Sequence, residues 1–515
     1  MFRKNDPMKS AQQPHAARSG GLMQGAKYAA LITGTALLLA GCAVGPDYQK
    51  PDMPLSSHWR NANADTPSRP PELAYWWKKL DDPLLNQLIE EAIENNLDVR
   101  TSKAKVREAR ASYRQTNGAL FPTLDASGSA TRSKAAGSNG STGTVGNLYN
   151  GGFDASWELD LFGANRRASE ASKYGLDAAE EELRATLLTL IGDVTTNYVE
   201  ARGYQSRIAL ARRTAESQDE TAKLTRNRFQ VGSSSGLDVA NAEGQASSTA
   251  ANIPTLQTAF ASSVHRLGVL TGREPTALTD RMKRSTSIPT PRLPMPSGVP
   301  ATVLLTRPDV RLAERQLAQS TANIGAAEAA KYPAVSLTGS IATSAAKFGD
   351  LGKNSSISWS FGPTLSVPIF NAGKLAAAAD VARAQRDQYF LAYKSSVLSA
   401  LEDVENALVG FSQERVRLRS LQKSVDSYRN AASLSQSLYQ TGSVSFLDVL
   451  DADRSLYSAE DSLIQSKVLL TTYYISLQKA LGGGWSGDVD TSKPEVVDQN
   501  AGPRLALTKT ASKSQ

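Results

Sequence analysis

Apolar residues fall into two rhythms along this chain. Over residues 164–230 they return every seventh position, with Leu176, Leu183 and Leu190 in one series and Leu187, Val194, Ala201 and Ile208 in another, and the interval holds no proline. That spacing marks the seam of a long packed helix. A second stretch repeats it with Val397, Val404, Phe411, Leu418 and Val425, flanked by Leu401 and Leu408. Each predicts a helix of about 65 residues, or about 100 Å at ~1.5 Å per residue. Shorter helical patterns occupy 98–118, 237–270, 308–330 and 447–481, so two short helices end to end approach one long one.

The second rhythm has period two. Phe153, Ala155, Trp157, Leu159 and Leu161 alternate with Asp154, Ser156, Glu158 and Asp160. Ile357, Trp359, Phe361, Leu365 and Val367 alternate with serines and Thr364, and Val335, Leu337 and Ile341 alternate with Ser336, Thr338 and Ser340. A weaker pattern at 124–130 takes the matching place in the first half. Two hairpins are predicted, with strands near 121–133 and 149–161 and near 332–345 and 355–368. Aromatics on one face and serine or acid on the other suit a transmembrane barrel; a small soluble sheet with one buried face is the competing reading. Since a bilayer leaves no strand edge unpaired, four strands require partners, and three chains supply twelve.

The two halves are copies of one plan, offset by roughly 210 residues. Leu97-Asp98-Val99-Arg100 returns as Pro308-Asp309-Val310-Arg311, Phe121-Pro122 as Tyr332-Pro333, and the run from Phe229 to Val239 as that from Tyr439 to Val449. This removes one catalytic reading. Gly232-Ser233-Ser234-Ser235-Gly236 fits the G-x-S-x-G pattern of a hydrolase nucleophile, but its copy is Gly442-Ser443-Val444-Ser445-Phe446. A nucleophile elbow follows a strand, whereas this turn follows a helix, and His15, His58 and His265 are isolated, so Ser234 is a turn residue. With no phosphate loop and no His/Cys ligand cluster, the chain is expected to be neither an enzyme nor a metal protein, and to bind no cofactor.

Composition narrows the class further. Of 515 residues only 40% are apolar, below the usual ~45–50%, which suits a hollow, elongated molecule better than a compact one. The net charge of +7 includes Arg3, Lys4, Lys9, Arg18 and Lys27 in a basic leader, and no basic stripe with interleaved aromatics indicates nucleic acid. The leader precedes a short apolar run ending in Leu39-Ala40-Gly41-Cys42, with the sole cysteine of the chain. Small residues before that cysteine resemble a bacterial lipobox, with a plain signal peptide as the alternative. Met23 offers a second possible start.

These motifs together resemble a known family. They are Leu39-Ala40-Gly41-Cys42 with Gly45-Pro46-Asp47-Tyr48, Trp76-Trp77, Asp82-Pro83-Leu84, Asn96-Leu97-Asp98-Val99, Arg307-Pro308-Asp309-Val310, Pro368-Ile369-Phe370 and both helix–turn–helix tips. The chain resembles the TolC-like outer-membrane channel proteins, in particular the OprM/NodT-type lipoproteins that serve resistance-nodulation-division pumps. The resemblance implies a mainly α fold with a small β part. It further implies a homotrimer whose twelve-stranded outer-membrane β-barrel continues into a long α-helical periplasmic tunnel. A lipid on Cys42 would anchor each chain in outer-membrane lipid. The periplasmic end, closed at rest, would meet a membrane-fusion adaptor joined to an inner-membrane pump, making the assembly a passive duct for small toxic compounds. Two alternatives stay open: a type I secretion channel, and a lipid-anchored coiled-coil spacer without a pore.

The expected organisation is a signal peptide over 1–41, an extended lipidated segment over 42–80, one repeat over 81–275 and an equatorial linker over 276–300. A second repeat over 301–485 and a disordered tail over 486–515 complete it. At the tips, Ser235-Gly236-Leu237-Asp238 and Ser445-Phe446-Leu447-Asp448 fit capping boxes, and Gly232 and Gly442 fit helix C-caps. The resemblance gives acids at Asp448 and Asp451 a place in a ring around the closed pore, where the first copy has Asn241. Tyr439 matches a tyrosine that latches the tip; some relatives have an arginine before it, and this chain has Leu438. Gly232, Gly442, Leu237, Asp238 and Leu447 make the surface that would meet the adaptor.

Overall fold

Two helices of equal length, 67 residues each, carry the heptad seams: α3 (Ala164–Gln230) and α7 (Lys374–Gln440). The computed structural model describes residues 43–54, 59, 73–134, 136, 144–291, 301–484, 487 and 489–497, so Cys42 and the leader lie outside the described residues. In chain order the other elements are α1 (Pro83–Asn95), α2 (Leu97–Gly118), β1 (Thr123–Lys134), β2 (Val145–Leu159), α4 (Gly236–Leu270), α5 (Thr279–Met282), α6 (Pro308–Ala329), β3 (Ala334–Ala345), β4 (Ile357–Ser366) and α8 (Phe446–Ala480). Like α3 and α7, the pairs α4/α8, α2/α6 and β1/β3 match in length, at 35, 22 and 12 residues. The duplication therefore holds element by element.

The chain divides into two compact units. One comprises Met1–Pro46, Asn117–Ala168 and Ala322–Val381, and holds the strands. They form a single antiparallel sheet in the order β1-β2-β3-β4, so β2 and β3 join two hairpins that are far apart in the chain. Register sorts the side chains by chemistry. Opposite residues share a face, which aligns Ala126, Phe153, Ile341 and Trp359 on one side and Asp125, Asp154, Ser340 and Ser360 on the other. Ser340 Oγ and Ser360 Oγ are 2.9 Å apart and hydrogen-bonded. Neither face is covered: β1 is exposed throughout, and Trp359, Phe361 and Phe153 stand out from the surface. Both outer strands, β1 and β4, have a free edge. In this unit Val44 N–H donates to Phe162 O at 3.1 Å, which pins the residues after Cys42 beside the end of β2.

The other unit comprises Asp47–Thr116, Ser169–Thr321 and Ala382–Gln515. Its largest core gathers Trp76, Trp77, Leu85, Leu88 and Ile89 against Val194, Tyr198, Leu267 and Tyr474. Asp82 ties this core together. One carboxylate oxygen accepts from Leu84 N and Leu85 N at 3.0 and 3.1 Å and starts α1, and the other accepts the Tyr198 hydroxyl at 2.7 Å. A second core packs Val397, Val404 and Leu408 of α7 against Leu304, Val310 and Leu477.

Two expectations are corrected here. The segment over 42–80 is not extended throughout: Trp76–Leu80 form a 3-10 turn, because burying both tryptophans in one cluster requires the chain to curl. The tail expected to be disordered from residue 486 is bound over 489–497. Arg100 pairs with Glu495 at 2.5 Å, Arg107 donates to Lys493 O at 2.7 Å, and Val489 packs against the core.

Candidate functional site

The turns that join α3 to α4 and α7 to α8 have the same construction. At the first, Gly232 N–H donates to Phe229 O at 2.9 Å and Ser233 N–H to Arg228 O at 2.8 Å; at the second, Gly442 donates to Tyr439 O at 3.0 Å and Ser443 to Leu438 O at 2.8 Å. This is a Schellman closure, which needs a left-handed residue. Gly232 and Gly442 supply it with φ of 75° and 77°. A Cβ at either would meet nothing within 4 Å, so only backbone conformation demands glycine there.

Capping boxes restart the helices. Asp238 N–H donates to Ser235 Oγ at 3.1 Å, while Asp238 Oδ2 accepts from Ser235 N at 3.0 Å and Ser234 Oγ at 3.0 Å. The Ser235 backbone bond, with help from both hydroxyls, holds the Asp238 carboxyl below its usual value against the opposing pull of burial. Asp448 Oδ2 accepts from Ser445 Oγ at 2.7 Å and Ser445 N at 2.9 Å, and those bonds lower its pKa in the same way. Both caps are therefore ionised at neutral pH. Asp451, one turn beyond Asp448, is exposed, whereas its counterpart Asn241 is half-buried. Ser234 directs its hydroxyl to a carboxylate that is itself a cap.

Tyr439 is buried and lies edge-on to Phe446, 5.8 Å between ring centres. Its partner from the first copy is Arg228, a residue that sequence reasoning missed. The guanidinium lies 4.4 Å over the Tyr439 ring, and donates to Tyr439 O at 2.9 Å and Gln440 O at 3.0 Å. It thus covers two carbonyls at the end of α7, where positive charge also suits the helix dipole. The tandem alignment contained the signal: Arg228 occupies in the first copy the place that Leu438 occupies in the second. Around these polar caps, Phe229, Val231, Leu237, Leu438 and Leu447 are exposed. Among the described residues no His/Cys/Asp/Glu group could hold a metal ion, and no described helix is long and apolar enough to cross a membrane.

Paired tips, paired long helices and a two-faced sheet are features of one known architecture. The family model described as outer membrane efflux protein matches residues 88–273 and 299–483, one match in each copy. The chain belongs to the outer membrane efflux protein family. It is 36% identical over 451 residues to nodulation protein T of Rhizobium leguminosarum bv. trifolii, covering 87% of this chain and 96% of that one. It is also 36% identical over 467 residues to the solvent efflux pump outer membrane protein SrpC of Pseudomonas putida, covering 89% and 99%. Among solved structures, the outer-membrane channel OprN is 35% identical with a TM-score of 0.80, over 86% of this chain and all of that one. As a member of the family, the chain is an outer-membrane efflux component and not an enzyme.

Proposed function

We propose that three copies of this efflux protein assemble into a passive duct, in which twelve strands close a barrel and the helices continue it as a tunnel through the periplasm. The observation that carries this reading is the sheet. It has two free edges, one apolar face and one polar face, and nothing in the chain covers either face. A barrel that pairs β4 of one copy with β1 of the next removes every edge, turns the aromatics to lipid and the serines and acids to water.

The surface of α7 supports the same stoichiometry. Leu391, Leu398, Val409, Val416, Leu434 and Leu438 are exposed, and their spacing lines them up in one stripe. The stripe lies opposite the buried seam of Val397, Val404 and Phe411. A helix apolar on two opposite sides needs a second copy on the bare one.

Cys42 carries the lipid anchor in this reading, next to residues held at the end of β2, so the acyl chains enter the bilayer beside the strands. Six carboxylates from Asp448 and Asp451 form a cation-attracting ring at the periplasmic entrance. The apolar tip surface, with Gly232, Gly442, Leu237, Asp238 and Leu447, receives the adaptor, and an inner-membrane pump supplies the energy. The cargo is whatever small toxic compound that pump delivers, as a solvent does for SrpC.

Single-channel recording in a planar bilayer tests the duct. The wild type is expected to conduct weakly with cation preference, and an Asp448→Ala, Asp451→Ala variant to lose that preference. Inserted protein that never conducts would sink the reading.

A further inference from the structure

Above the second tip, α3, α4 and α8 enclose a cavity of about 10 Å³ lined by Gln218, Thr221, Ala242, Gln245, Phe446, Leu450 and Asp453. That is room for about one water molecule. Gln218 is only 5% exposed, and neither its Nε2 nor its Oε1 has a hydrogen-bond partner. A buried amide with both ends unanswered is rare in folded proteins, and a trapped water or a partner in a changed protonation state is the usual explanation. Across the cavity stands Asp453, half-buried on α8.

No charge compensates that carboxylate. From α3 it faces Gln218 and Thr221, and from α4 Ala242 and Gln245, none of which titrates. On its own helix Phe446 and Leu450 complete the wall, and the neighbouring Arg454 is turned away to Gln245 Oε1 at 2.5 Å. Thr221 directs its hydroxyl to Ser217 O at 2.9 Å. A charged carboxylate here would lose water and gain no cation. A neutral carboxyl can donate, directly or through one water, to the Gln218 oxygen, leaving the Gln218 amide hydrogens to the same water.

We propose that this cavity is a one-water proton site, and that a neutral Asp453 bolts α8 to α3 through Gln218 when the tip is packed. Burial raises the Asp453 carboxyl above its usual value, in agreement with that geometry. The sign follows. The packed tip holds the proton more tightly than a tip whose Asp453 faces water. Packing is therefore favoured as pH falls from above the raised value toward the ordinary carboxylate range, and below that range no further change occurs.

The inference rests on the tips acting as a gate, so two readouts are needed. Infrared difference spectra of the purified full-length protein read the proton. Mildly acidic samples of the wild type show a protonated-carboxyl band that Asp453→Asn lacks, and Gln218→Leu moves the band to higher frequency as its hydrogen bond is lost. Planar-bilayer recording across about pH 4 to 8 reads the gate, with the closed-to-open ratio of the wild type changing by up to about tenfold per pH unit for each chain. Asp453→Asn stays closed and loses that dependence, while Asp451→Asn keeps it. An unchanged band in Asp453→Asn, or the same pH dependence as wild type, overturns the proposal. If the band behaves as described but no variant conducts at all, the site stands as a proton site and both the gate and the duct fall.

Discussion

Arg228 shows how one side chain couples the two copies. It forks onto the last carbonyls of α7 and stacks on Tyr439, so the end of the second-copy hairpin is finished by the first. Charge-assisted bonds at a partly exposed helix end contribute about 1–2 kcal/mol. Arg228→Ala is therefore expected to raise the open fraction of single channels roughly tenfold. Arg228→Lys recovers only part of this, because a point charge cannot fork onto two carbonyls. An unchanged open fraction in Arg228→Ala would mean that the tip closes without the latch. The turn glycines make a different prediction. A side chain at Gly442 points into open space, and its cost is the left-handed backbone, about 1 kcal/mol for most residues and less for asparagine. Gly442→Asn should therefore export normally, whereas Gly442→Arg should form trimers that fail to co-purify with the adaptor. The caps, the turn glycines and the exposed Asp451 were legible in the sequence, because each rests on residues within one turn. Arg228, Gln218 and Asp453 were not, because each depends on an element distant in the chain.

At the level of elements, α8 crosses α3 and α7 where those helices carry glycine. A Cβ at Gly203 would stand 2.4 Å from Val468 Cγ2, and one at Gly410 would stand 2.4 Å from Tyr473 Cε1. Gly203→Ala and Gly410→Ala should each destabilise the trimer by about 1–3 kcal/mol in thermal melts. Adding Tyr473→Leu should recover much of the Gly410→Ala loss. Gly192→Ala should be milder, since the atom it meets belongs to the flexible Lys479 chain, which can leave Asp193 at 3.5 Å. The bare stripe on α7 predicts the opposite separation of folding from assembly. Leu391→Glu with Leu398→Glu should give a helical monomer by circular dichroism and sedimentation, because the changed side chains face away from the chain's own core. Retained trimers would place the interface elsewhere. Long-range periodicity made the helices and three strands legible, since one dominant period survives over many residues. β1 was faint because Gly128, Ser127 and Ser129 dilute its apolar face, and only the copy in β3 located it. The bare stripe was missed because an eye for one seam stops when that seam is found. The curl at Trp76–Leu80 depends on partners in α3 and α8, which no local pattern announces.

At the scale of the whole molecule, a tandem repeat in a trimer offers six tips that are nearly alike, yet only three are expected to guard the pore. The two copies share glycine, capping box and exposed leucine. They differ at one turn into the following helix, where the second copy exposes Asp451 and the first half-buries Asn241. If six-fold likeness governed the entrance, an acid would serve equally well from either copy. If the second-copy tips alone reach the axis, position matters more than charge count. Three charges brought close together in a narrow mouth attract cations strongly, while the same charges behind it are screened within about 8 Å at physiological salt. Asp451→Asn should therefore reduce cation preference in planar-bilayer recordings. Adding Asn241→Asp restores the net charge of every chain and should not restore the preference. Recovery in that double variant would show that both copies line the entrance, and would turn the ring from a feature of one repeat into a property of the pseudo-six-fold tunnel.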